Sequence, residues 1–170
     1  LADAEQSYAR VLAAQPARGD WWIERARTAY FQSRFDDEAE FARTALQATL
    51  GRTLVELPGS VPLQDASAVE ALRWLGDADI RRFGARLEQD PALAIAAMLE
   101  GLRAFAFVAT SPFGDDTDWT SFASFHGALG LWREQFAAAR VGALRVPDGR
   151  AVRQCITQAL WSGGRSEFGP

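Results

Sequence analysis

Apolar positions recur three and four residues apart along most of this chain, the spacing that lays one stripe down the side of an α-helix. Ala4, Tyr8, Val11 and Leu12 form the first such stripe, and Pro16 closes it. Asp20 then stands where a cap is wanted, and Trp22, Ala26, Ala29 and Tyr30 make the inner face of a second helix. Ser33 and Arg34 form a turn. A third helix opens on Asp36, Asp37 and Glu38, whose carboxylates suit the positive end of a helix dipole. Gly51, Pro58, Gly59 and Pro62 are too many breakers for a helix, so residues 51–66 read as a connecting loop.

Beyond the loop the pattern resumes. Residues 68–75 and 77–89 predict a short helix and a longer one, with Asp90 and Pro91 as cap and first-turn proline of the next. Residues 91–110 are almost wholly apolar. Glu100 and Arg103 interrupt them and alanine supplies much of the apolar count, so the segment is expected to be a buried central helix with those two charges paired, and not a membrane span. A long helix is expected from Thr117 or Asp118 to about Leu144, with Phe122, Phe125, Leu129, Trp132 and Phe136 as an aromatic stripe. The last helix, Arg150–Trp161, should bury Val152, Ile156, Ala159 and Leu160 and end at Gly163 and Gly164. Strand signals are confined to Thr53–Leu57, too short to found a sheet. The predicted fold is all-α.

The N-terminal segment resembles a tetratricopeptide repeat, a helical hairpin of about 34 residues. Ala4 and Tyr8 stand at that family's small-to-aromatic spacing, Pro16 at its closing proline and Trp22 at its tryptophan. Ala26 matches the small residue, Phe35 the aromatic of the second helix, and Ala45 with Leu46 the pair near its end. Arg25, Tyr30 and Leu50 depart from the pattern, and Leu87 with Pro91 echo it weakly over 68–91. The resemblance implies tetratricopeptide-like hairpins over residues 1–50, joined by the 51–66 loop to a C-terminal helical bundle over 67–164. These form one continuous domain, with 165–170 as a flexible tail.

At 170 residues the chain can bury a substantial core, and its apolar share of 48% is that of an ordinary folded protein. The net charge of -4 excludes a phosphate-tracking face, so no nucleic-acid partner is expected. All eighteen basic residues are arginine, which points to the coding bias of a GC-rich bacterium. One cysteine, Cys155, excludes an internal disulfide and a cysteine zinc cluster, and a cytoplasmic setting is favoured with the periplasm open. The chain starts at Leu1 with a helix already under way, so it is expected to be a piece of a longer protein.

The resemblance implies binding of another protein or peptide through the hairpin groove. The surface would comprise Asp20, Glu24, Arg27, Tyr30 and Phe31, or alternatively the aromatic helix face would serve. A different reading is a small helical enzyme or ligand-binding bundle. His126, the sole histidine, would then meet the acidic loop Asp115, Asp116 and Asp118 beside Trp119 and Phe122. N-terminal capping explains the same carboxylates more simply, and Cys155 reads as a small buried residue. No metal and no cofactor is expected.

Overall fold

The computed structural model describes residues 2–59 and 62–168, and among them the chain is all-helical. Its helices are α1 (Ala2–Ala14), α2 (Gly19–Phe31), α3 (Phe35–Leu50), α4 (Ala66–Arg86), α5 (Pro91–Thr110), α6 (Asp116–Ala128), α7 (Trp132–Arg145) and α8 (Arg150–Phe168). They fall into two compact units, Leu1–Pro112 and Phe113–Pro170.

In the first unit each helix packs on the next, α1 on α2 through to α4 on α5, and α2 also touches α4. Small residues permit the close approaches. Ala26 and Ala29 of α2 and Ala39, Ala42 and Ala45 of α3 are buried, while Leu72, Leu75, Met98 and Val108 fill the α4–α5 layer with no exposure. Truncating one of those large side chains to alanine typically costs about 2–5 kcal/mol.

Several local expectations change in this unit. Helix α2 begins at Gly19 without a side-chain cap, so Asp20 stands inside its first turn and not at the cap, where the Arg18 guanidinium takes both its oxygens. The two helices expected over 68–75 and 77–89 are the single helix α4, capped by Asp65, whose side chain accepts from the Ala68 amide at 2.8 Å. Gly76 is not a break there; its missing Cβ makes room for the ring of Phe105. Asp90 caps α5 by accepting from the Leu93 amide, with Pro91 in the first turn, as the spacing predicts. Glu100 and Arg103 do not pair. Glu100 accepts from Arg43 of α3, and Arg103 donates to the carbonyls of Val55 and Leu57, tying down the 51–66 loop. That loop starts at left-handed Gly51 and holds one 3-10 turn, Leu54–Glu56, where alternation hinted at a strand.

Helix α5 is the one described helix long and apolar enough to cross a membrane, and half of its apolar window is buried within the protein. Leu93, Ile95 and Leu99 of the same helix lie exposed.

In the second unit α6, α7 and α8 pack pairwise as a three-helix bundle. The expected long helix is broken. Gly130 takes a φ of 73°, a left-handed conformation only glycine adopts cheaply, and the chain turns between α6 and α7. The aromatic stripe is divided accordingly: Phe125 is buried with Trp119, and Phe122, Trp132 and Phe136 are half-buried. Helix α8 runs through Gly163 and Gly164 to Phe168, because glycine allows a helix to stop without compelling it. The expected tail is therefore helical over 165–168, and Gly169 and Pro170 lie outside the described residues. Val152, Cys155 and Ala159 face the core, whereas Leu160 is 61% exposed.

Candidate functional site

Asp20, Glu24, Arg27 and Phe31 are spaced four, three and four residues apart, which puts them in one row along α2. Asp20 lies 2.9 Å from Arg18 Nε and shares a second contact with that guanidinium, which holds its carboxyl below the ordinary carboxylate range. Glu24 and Arg27 stand 3.7 Å apart. Phe31 is 62% exposed and meets the ring of Tyr30 edge-on, with centroids 5.1 Å apart.

Tyr30 is fixed from the neighbouring hairpin. Trp74 of α4 packs edge-to-face on it at 5.4 Å, and the Arg81 guanidinium lies over its ring at 4.0 Å. Arg81 also reaches Phe35 at the start of α3 at 5.6 Å and pairs with Asp77 at 2.9 Å. Trp74 in turn donates its indole N–H to Glu70, which also meets Arg73 at 3.2 Å. The result is an aromatic cluster of α2 and α4 bordered by ion pairs that neutralise one another. Sequence reasoning finds the α2 half of this surface and misses Trp74 and Arg81. The row Glu70, Trp74, Asp77 and Arg81 repeats the four-three-four spacing of α2, a signal hidden when α4 is read as two helices.

Helices α3 and α4 also bury two carboxylates. Glu38, one of the acids expected to suit the positive end of the α3 dipole, is fully inaccessible, and neither of its oxygens has a hydrogen-bond partner among the described residues. Burial first, then the charges of Asp77 and Asp79, push its carboxyl up to about 8, against the pull of Arg81. Asp79 of α4 is equally inaccessible, accepts from Arg82 at 2.7 Å, and has its second oxygen unpartnered. Burial and the nearby Glu100 raise its pKa, while Arg82 and Arg43 oppose the rise. Arg82 and Arg86 also clasp Asp36, joining α4 to the first turn of α3.

The residues of the alternative site are held apart by structural duties. Asp115 and Asp118 form a reciprocal capping box at the start of α6, each side chain accepting from the other's amide at 3.0 and 2.9 Å. Asp116 accepts from the amides of Ala151 and Val152, capping α8. Trp119 is buried and touches Phe122, whose ring packs edge-on against His126 at 4.8 Å. His126 Nδ1 lies 3.0 Å from the Phe122 carbonyl, which can only accept, so that nitrogen carries the hydrogen. Among the described residues no three His, Cys, Asp or Glu side chains stand where they could hold a metal ion. Cys155 meets Ser124 and the Thr120 carbonyl, and burial pushes its thiol up.

The chain matches no protein-family model, no curated protein and no solved structure. Any functional reading therefore rests on the site's own chemistry.

Proposed function

We propose that the chain binds another polypeptide through the α2–α4 surface, as a tetratricopeptide-like interaction module. The observation that carries this reading is Phe31, which is exposed yet held against Tyr30, itself locked between Trp74 and Arg81. An exposed aromatic whose orientation is already fixed loses little conformational freedom on binding, and aromatics with arginine are the residue types that most often carry interface energy. The direct contact of α2 with α4 supports it further, since stacked hairpins present their first helices side by side. The capping roles of Asp115, Asp116 and Asp118 leave the enzyme alternative without an assembled acid–base site.

Site-directed photo-crosslinking in the source cell tests this. A photoreactive phenylalanine analogue at position 31 is expected to capture a distinct polypeptide that one at Val55, 79% exposed in the connecting loop, does not. Arg27→Ala should weaken that capture and leave helicity intact. Identical adducts from both positions, or none from position 31, would overturn the reading.

A further inference from the structure

Resting on that reading of the surface, we propose that Glu38 is a proton-operated latch: neutral Glu38 leaves Arg81 seated on Tyr30, and ionised Glu38 draws Arg81 away and loosens the aromatic surface.

The geometry supplies each part. Glu38 is inaccessible, and both of its oxygens are unpartnered, an arrangement a carboxylic acid tolerates far better than a carboxylate. The groups acting on it from α4 are Asp77, Asp79 and Arg81. Two of these are acids that oppose its ionisation. Asp79 is tied to Arg82 and lies in the field of Arg43 on α3 and Glu100 on α5, so those two arginines already serve other carboxylates. From α2, Arg25 lies over the ring of Phe41 one turn further along α3 and pairs with Glu5, so it too is already engaged. Arg81 is thus the cation through which an ionised Glu38 would be answered, and Arg81 is held by a single carboxylate and two aromatic faces. A cation–π contact at a partly exposed site is weak beside the attraction of a desolvated carboxylate. Moving Arg81 towards Glu38 therefore takes it off the ring that orients Phe31. One proton on α3 thereby governs the packing of a surface made by α2 and α4.

The test needs no partner. The chain has two tyrosines, so Tyr8→Phe leaves Tyr30 as the single tyrosine signal in an NMR titration from about pH 6 to about pH 9.5, below ordinary phenol ionisation. The Tyr30 ring resonances are expected to shift with a midpoint near the value of about 8 carried by Glu38, and Glu38→Gln should abolish the step. Arg81→Gln should also abolish it, since the ring then has no cation to lose. A step of the same midpoint in Glu38→Gln, or no step in the parent, would overturn the latch. So would loss of helical circular dichroism with that midpoint, which would mean that ionisation unfolds the unit instead of moving one side chain. Crosslinking at position 31 is read separately. A working latch on a surface that captures nothing, and capture without a latch, are thus told apart.

Discussion

Gly76 and Gly84 lie in the same helix, and changing each to alanine should move stability in opposite directions. Alanine in a helix interior is favoured over glycine by about 0.5–1 kcal/mol, because glycine loses more backbone freedom on folding. At Gly84 nothing lies within 4 Å of the added methyl, so the full gain is expected. At Gly76 the same methyl falls on the Cδ2–Cε2 edge of the Phe105 ring, which is 7% exposed and has nowhere to retreat. Overpacking of that kind costs about 1–3 kcal/mol, so after the propensity gain Gly76→Ala should lose up to about 2.5 kcal/mol net. Urea unfolding followed by far-ultraviolet circular dichroism measures both. Phe105→Leu, by shortening the ring, should recover part of the loss in the double variant, giving a coupling of about 1 kcal/mol. A Gly76→Ala protein as stable as its parent, or the absence of coupling to Phe105, would refute the packing argument and leave helix propensity as the governing effect.

Stability should also depend on pH through Glu38. Its folded value of about 8 exceeds its ordinary 4.5, so between these values the folded state keeps a proton that the unfolded chain releases. The contribution is therefore complete below about pH 4.5 and lost as pH rises through about 8, with an upper bound of about 5 kcal/mol. Asp79 adds to the fall, and Glu38→Gln should flatten the profile measured by denaturant unfolding at several pH values. In the second unit, Asp116→Ala removes the acceptor for two amides of α8 and should cost about 1–2 kcal/mol. Faster hydrogen exchange at Ala151 and Val152 would report it, and unchanged protection there would count against the cap. Gly130→Ala forces a side chain into a left-handed backbone and should cost about 1–2 kcal/mol by thermal unfolding, an unaltered midpoint being the contrary result.

The helices are readable in the sequence because apolar residues recur at helical spacing and because aspartates that cap have a clear field. Asp90 and Asp115 do as their positions suggest. Asp20 does not, since the helix starts one residue before it and its oxygens are taken by Arg18. Glycine is the main source of misreading, for the same residue does three different things: Gly76 admits a ring, Gly130 turns the chain and Gly163 is passed through. Only tertiary surroundings or backbone angles tell these apart. The α2 half of the surface is legible as a row of exposed charged and aromatic residues. Its α4 half is obscured by Gly76, and Glu38 by its place among acids at a helix start, where a solvated role fits equally well until α4 is seen to cover it.

Cys155 gives the second unit a clock of its own. Thiol reagents attack the thiolate, and this sulfur is scarcely exposed, enclosed by Ser124 and the Thr120 carbonyl, and disfavoured from ionising by its burial. Modification must therefore wait for α8 to part from α6, and its rate counts those openings. With one cysteine in the sequence, every labelled molecule records an event in the α6–α8 bundle. The lifetime of that half of the protein can thus be followed in the intact chain while the acids of α3 and α4 titrate in the other.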